Sequence, residues 1–180
     1  MMNTSFGLTD SKLERLATQY NYDSATKSAK QIAKSNNNFV FGSEYDSAGA
    51  GLISSVDDQI LLADALTHLG KGKNGNRILS SYGVNLMRTN ILDDNQMKIY
   101  TSKVHDKGYG YGYGVRTNLN PEVVGNLMPK GEFGWSGAKL SYISSCPESG
   151  ISFFHAEHMG GLHETVIPRL RNIVYSCIDD

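Results

Sequence analysis

The sequence predicts an α+β fold: an antiparallel sheet with a C-terminal helix packed on it and a small helical part beside them. Three observations carry this expectation. Segments of helical periodicity, two with cap signals, occur up to Met87, strand-type alternation and apolar runs follow between Gly108 and Phe154, and one amphipathic helix closes the chain over Ile167 to Ile178. Helices and strands that are separated along the chain point to α+β, because a parallel sheet needs strand and helix to take turns. With 180 residues, positions 1–180 are enough for one domain with a sizeable core and too few for two full domains.

The elements can be justified in order. Ser11-Lys12-Leu13-Glu14-Arg15-Leu16-Ala17 puts Leu13, Leu16 and Ala17 on one side of a short helix. Residues 21–38 are rich in Ser, Lys, Asn and Ala and poor in large apolar side chains, so they bury little surface and a mobile loop is expected. After the small-residue stretch Ser47-Ala48-Gly49-Ala50-Gly51 comes the clearest helix. Ser54 or Ser55 is its N-cap, Asp57 and Asp58 favour its positive end, and Val56, Ile60, Ala63 and residues 66–69 form its buried side. Gly70 then permits the left-handed residue that stops it. Lys71 to Asn76 is a solvated turn, and a second helix from Ser80 or Ser81 carries Val84, Leu86 and Met87 inward.

Gly108-Tyr109-Gly110-Tyr111-Gly112-Tyr113-Gly114 alternates at every residue. On a strand this places three tyrosines on one face and bare glycines on the other, where a second backbone can approach. The tyrosines read either as an aromatic platform for sugars or bases or as one side of a strand whose bare side a helix covers, and the covered strand is the reading adopted. A loop follows through Pro121 and Pro129. Gly134-Trp135-Ser136-Gly137-Ala138-Lys139-Leu140-Ser141-Tyr142, then Cys146-Pro147-Glu148-Ser149-Gly150, then the apolar run Ile151-Ser152-Phe153-Phe154, reads as a hairpin whose first strand lines an active site. The closing helix sets Ile167, Leu170, Ile173, Val174, Cys177 and Ile178 on one face and accepts Pro168 in its first turn.

Composition excludes several classes. A net charge of -1 from 17 basic and 18 acidic side chains, with no basic block interleaved with aromatics, gives no footprint for nucleic acid. No apolar stretch approaches the roughly 20 residues that cross a bilayer, so no membrane span is expected. Cys146 and Cys177 either pair, if the last helix lies beside the hairpin, or serve as two small core residues; one pair does not fix a compartment, and localisation stays open. His155, His158 and His163 with Glu157 and Glu164 imitate a metal set. On a strand, however, His155 and Glu157 share a face while His158 points away, and no His-Glu-x-x-His spacing occurs, so neither a metal nor another cofactor is expected.

Several segments, in order, resemble the later part of the serine β-lactamase and penicillin-binding protein superfamily, in particular the branch of class C β-lactamases, D-alanyl-D-alanine carboxypeptidases and esterases. Met1-Met2-Asn3-Thr4-Ser5-Phe6 is similar to the family's Leu-Gly-Met-x-Asp-Thr-x-Phe segment, and Arg15 to Tyr20 follows as it does there. Ala48-Gly49-Ala50-Gly51-Leu52-Ile53-Ser54-Ser55-Val56-Asp57-Asp58 resembles Gly-Gly-x-Gly-Leu-x-Ser-Thr-x-x-Asp, and Arg77 to Met87 resembles the next helix. The Tyr-Gly repeat is similar to Gly-Tyr-Gly-x-Gly, and the hairpin and Arg169 to Tyr175 complete the match.

The resemblance implies acyl transfer. In the family a serine in Ser-x-x-Lys attacks an acyl carbonyl, its lysine and the tyrosine of Tyr-x-Asn manage protons, and a Lys-Thr-Gly-type strand binds substrate. That strand matches Trp135, Ser136 and Gly137, with Trp in place of Lys, a change tolerated in the esterase-like branch. By this match Ser136 offers a hydroxyl to the substrate, Gly137 lets it lie close, and the Ala138 backbone N–H is half of an oxyanion hole, which stabilises charge that develops only in the transition state.

The first two motifs would precede the segment matching Met1 to Phe6, so the chain is expected to be a C-terminal portion of such a domain and inactive alone. Ser24-Ala25-Thr26-Lys27 and Ser35-Asn36-Asn37 satisfy Ser-x-x-Lys and Ser-x-Asn literally, but they sit in a polar stretch, whereas the chemistry needs the lysine facing the serine in a buried cleft. The expected partner of the intact protein is a small-molecule or peptide acyl substrate. Loss of neighbouring strands would also leave a bare sheet edge open to homo-oligomers or strand exchange. The alternative is a non-catalytic binding module derived from the same fold.

Overall fold

The structure, a computed structural model, describes residues 1–7, 9–33, 45–102, 107–161 and 163–178, with backbone only at 163–165. The N-terminal part holds β1 (Ser5–Phe6), α1 (Asp10–Arg15), the hairpin β2 (Gln19–Asp23) and β3 (Ser28–Ile32), and β4 (Leu52–Ile53). Three helices follow, α2 (Val56–Thr67), α3 (Ser81–Met87) and α4 (Asp94–Tyr100). The rest is β5 (Tyr109–Tyr111), β6 (Arg116–Asn118), the short α5 (Pro121–Val124), β7 (Phe133–Ser136), β8 (Tyr142–Cys146), β9 (Ile151–His155), β10 (Met159–Gly160) and α6 (His163–Ser176). The α+β expectation holds: β5-β6-β7-β8-β9 form one antiparallel sheet with α2 on one face and α6 on the other.

Caps and small residues seat α2 on that sheet. The Ser55 hydroxyl accepts the Asp58 N–H, and the helix stops through Leu69 (φ 51°) and Gly70 (φ 88°), whose N–H reaches back to the Ala65 carbonyl at 2.7 Å. The side turned to β8 and β9 is Ala63 and Thr67, which let the backbones come close: Ser145 Oγ donates to the Ala63 carbonyl and Thr67 Oγ1 to that of Ile151. Val56, expected inside, is 51% exposed. Close approach to the sheet selected the small side of the helix over the bulky one.

Asp58 also fastens the N-terminus. Its carboxylate accepts the Asn3 N–H and the Thr4 hydroxyl, each at 2.7 Å, and the Met2 N–H at 3.2 Å. Burial opposes its ionisation, but these donors outweigh it and hold the carboxyl below the usual carboxylate range. The strand β1 then pairs with β4.

The expected loop over residues 21–38 is corrected as far as it is described. Residues 19–32 are an antiparallel hairpin with Gln19 opposite Ile32 and Asp23 opposite Ser28. Its turn is set by the Asp23 carboxylate, which accepts the Ala25 and Thr26 N–H groups, and by Lys27 in the left-handed region. Backbone pairing makes this hairpin without burying much, which is why apolar content missed it. The Ser-x-x-Lys look-alike at Ser24 to Lys27 is this exposed turn, and Ser35-Asn36-Asn37 lies outside the described residues.

Two further corrections concern faces. In α3, capped by Ser80, Val84 is buried but Leu86 is 41% exposed. In α6 the buried line is Ile167, Arg171 and Tyr175, spaced by four, while Ile173 is 59% exposed and Cys177 and Ile178 face outward. The sheet beneath α6 offers a phenol for Arg171 and a pocket of Met128 and Cys146 for Tyr175, and these set the rotation of the helix. Cys146 and Cys177 are free thiols, one buried and one exposed. No helix among the described residues is long and apolar enough to cross a membrane.

Candidate functional site

The site is built on the end of β7. Phe133 and Gly134 are buried, and Gly134 is required by the fold: a Cβ there would meet the Ile143 carbonyl oxygen at 1.9 Å. Arg116 and Ser144 flank Gly134 on the neighbouring strands, and Tyr142 lies opposite Ser136. Beyond Ser136 the hairpin turns through residues 137–141. The Gly137 N–H donates to the Ser141 carbonyl at 2.7 Å, the Leu140 N–H to the Gly137 carbonyl at 3.0 Å, and Leu140 adopts φ 75° while fully buried.

This turn leaves the residues singled out from sequence at the surface and together. Trp135 is 45% exposed, Ser136 is half-buried, and Gly137 and Ala138 are exposed. Unlike Gly134, Gly137 is not demanded by its own surroundings. A Cβ there would meet only the Ser141 carbonyl at 3.7 Å, an ordinary contact. Among the described residues the Ala138 N–H has no hydrogen-bond partner, while the Gly137 N–H is consumed by the turn. Lys139 is tied down from both sides: its carbonyl accepts the Met159 N–H, and its ammonium donates to Asn21 Oδ1 at 2.8 Å. The small sheet of β10, β2 and β3 therefore abuts the turn.

Under the α6 face of the sheet lies a buried ionic cluster that stiffens the strand. Ser144 Oγ and the Tyr142 hydroxyl both donate to Glu132 Oε1, and Arg116 Nη2 donates to the Tyr142 oxygen at 2.8 Å. Arg116 lies 4.4 Å from the Tyr109 ring centre, and Arg171 donates to the Tyr109 hydroxyl. Burial and the Glu132 carboxylate push the Tyr142 phenol far above its usual range, so it stays a neutral donor. Burial opposes the charge of Arg116, but Tyr142 and Glu132 outweigh it and keep the guanidinium protonated. Sequence reading missed this cluster, whose members come from β5, β6, the residue before β7, β8 and α6.

The Tyr-Gly repeat is a strand only over Tyr109–Tyr111. Its glycines do admit a neighbour: a Cβ on Gly112 would meet the Met87 carbonyl at 2.1 Å, and the Tyr113 N–H donates to that same oxygen. The three tyrosines differ. Tyr109 is buried, Tyr113 is exposed in the following turn, and the Tyr111 ring touches Trp135 edge-on with centres 5.3 Å apart. His155 and Glu157 do come together, Nε2 to Oε2 at 2.9 Å, whereas His158 turns to the Ala17 carbonyl.

No protein-family model matches the sequence, and neither does any curated protein. Solved structures do match. EstCE1, a hydrolase with promiscuous acyltransferase activity, is 20% identical with a TM-score of 0.75 over 96% of this chain and 46% of its own. The LovD6 mutant of simvastatin synthase from Aspergillus terreus is 16% identical with a TM-score of 0.79, over 97% and 46%. The unliganded selenomethionyl form of the same synthase gives 17% and 0.77, over 97% and 46%. This chain thus spans a little under half the length of the structures it resembles, and its fold is the serine β-lactamase-like fold that they share.

Proposed function

We propose that the chain is the substrate-binding, C-terminal portion of a β-lactamase-like serine hydrolase or acyltransferase, acting on an ester, a D-amino-acid peptide or a β-lactam. One observation carries this reading: β7 ends in an exposed Trp135-Ser136-Gly137-Ala138 turn whose Ala138 N–H is open and whose Gly137 the fold does not require. Ser136 orients the substrate, Gly137 lets it lie against the strand, and the Ala138 N–H polarises the carbonyl as half of an oxyanion hole. The nucleophile, its lysine and the tyrosine, together with the second oxyanion donor, would come from the part of such a fold that this chain does not span.

Exposed apolar side chains on the helical part support an absent neighbour. Tyr82 is 75% and Ile99 72% exposed, with Leu61, Leu86 and Ile91 also at the surface. Among the described residues no strand pairs with the outer edge of β9. Alone, the chain is expected to dimerise or exchange strands through these surfaces, and a monomer in ultracentrifugation at high concentration counts against that.

The direct test is turnover of para-nitrophenyl butyrate and a chromogenic β-lactam by the purified chain. The expected rate is that of buffer. Turnover abolished by Ser24→Ala would overturn the reading that this chain lacks its nucleophile. Binding of esters that Ser136→Ala leaves unchanged would favour a non-catalytic binding module instead.

A further inference from the structure

The aromatic contact at Trp135 extends further than the motif itself. Tyr100, at the end of α4, packs on Tyr111 with ring centres 5.9 Å apart and planes tilted by 55°, and Tyr111 meets Trp135 at 5.3 Å and 78°. Three rings from α4, β5 and β7 therefore form one row that ends at the residue before Ser136. The middle ring is fixed by its backbone. The Tyr111 N–H donates to Asn90 Oδ1 at 3.0 Å, the Tyr111 carbonyl accepts the Ile91 N–H at 3.0 Å, and Gly112 behind it has no room for a side chain against Met87. Asp93 and Gln96 fix α4 with a reciprocal capping box, so both outer rings stand on anchored elements.

A row of this kind has a chemical preference. Edge-on and tilted rings present both π faces and positive edges, and they favour another ring over an aliphatic group of equal area. Trp135 at the open end is 45% exposed, so its ring is accessible to one more ring in the series. The cation closest along the chain, Lys139, is engaged with Asn21. We infer that Tyr100, Tyr111 and Trp135 are the wall that selects substrates carrying an aromatic ring on the acyl or the alcohol side of the scissile bond. This inference rests on the proposed role of Ser136 and Ala138 and adds the substrate class to it.

Trp135 is the single tryptophan of the chain, so its emission reports binding at this point. The intact chain is titrated with methyl phenylacetate against methyl cyclohexylacetate, and with benzyl acetate against cyclohexylmethyl acetate, so that each aliphatic ester matches its aromatic partner in size. In at least one pair the aromatic ester is expected to bind about fivefold more tightly, the equivalent of roughly 1 kcal/mol for a ring pair beyond its burial. Tyr111→Ala and, with volume kept, Tyr111→Leu should reduce that preference to about twofold or less, the aromatic esters weakening more than the aliphatic ones. Thermal melts confirm that each variant is folded.

Equal binding within both pairs, or a preference that survives both Tyr111 variants, overturns the aromatic wall. Ser136→Ala tests the underlying reading separately, because it should weaken aromatic and aliphatic esters alike. If it does so without any aromatic preference in the parent chain, the site stands and the wall falls. If it changes neither class while the Tyr111-dependent preference persists, the Ser136 role falls. No response of Trp135 to any ester overturns both.

Discussion

In the five-stranded sheet, Glu132, Arg116, Tyr142 and Ser144 are enclosed between the strands and α6, and Gly134 has a carbonyl oxygen where its side chain would be. In the three-stranded sheet of β10, β2 and β3, every residue of β3 except Ile32 is exposed, and the strands are joined by backbone ladders and a few polar side chains. The same hydrogen-bonded geometry thus rests on burial in one region and on local turn chemistry in the other. The turn after β7 lies where the two meet, since Lys139 contacts both Asn21 and Met159. A rigid strand carries the Ser136 position, and a lightly held sheet flanks its exposed end.

Removing the centre of the buried cluster is the strongest way to break this contrast. Glu132→Ala leaves the buried Arg116 without its carboxylate and Tyr142 and Ser144 without their acceptor, and should cost about 3–5 kcal/mol of global stability, read by chemical denaturation. Next comes glycine placement. Gly134→Ala forces β7 away from β8 and should cost about 1–3 kcal/mol, whereas Gly137→Ala should stay within about 0.5 kcal/mol while weakening ester binding. Equal stability losses for the two would show that Gly137 is structural after all.

The smaller effects belong to the three-stranded sheet. Asn21→Ala removes the Lys139 contact and should cost about 0.5 kcal/mol or less globally. Its readout is faster amide exchange in β2 and β10 with β5 to β9 unchanged. The smallest effect is acidic. Burial, aided by the Lys139 charge, lowers the pKa of His158 against the bond from the ring to the Ala17 carbonyl. The unfolded chain then binds the proton more readily, so stability rises with pH and declines as pH falls below the ordinary value of 6.5. Protection of the Tyr20 N–H, which donates to the His158 carbonyl, should drop over that range and His158→Gln should flatten the response.

Legibility in the sequence followed the same division. Ser55, Ser80 and Gly70 announced helix ends because capping is a local bond between near neighbours. The α4 helix was missed although Asp93 and Gln96 spell a capping box three residues apart, a signal that was there to be read. The β2–β3 hairpin was missed for a better reason: exposed strands need no apolar alternation, and its Asp23 turn is weakly distinctive. Trp135, Ser136, Gly137 and Ala138 were legible as one group because they are contiguous. The partners of Trp135 were not, because Tyr111 and Tyr100 reach it from other elements.

By itself the sequence determined the ends of α2 and α3, the Tyr-Gly strand and the hairpin of the main antiparallel sheet, the closing helix and the candidate strand, since each depends on spacing within a few residues or on a pattern along one strand. Tertiary structure alone decided which side of each helix is buried. Val56, Leu86 and Ile173 turn outward because the sheet accepts small residues on one face and Arg171 and Tyr175 on the other. It also decided that a buried carboxylate would gather Arg116, Tyr142 and Ser144 from two strands, and that Gly134 is needed by the fold while Gly137 is not. Those outcomes depend on distances between segments far apart in the chain, and burial and electrostatics act through distance in space.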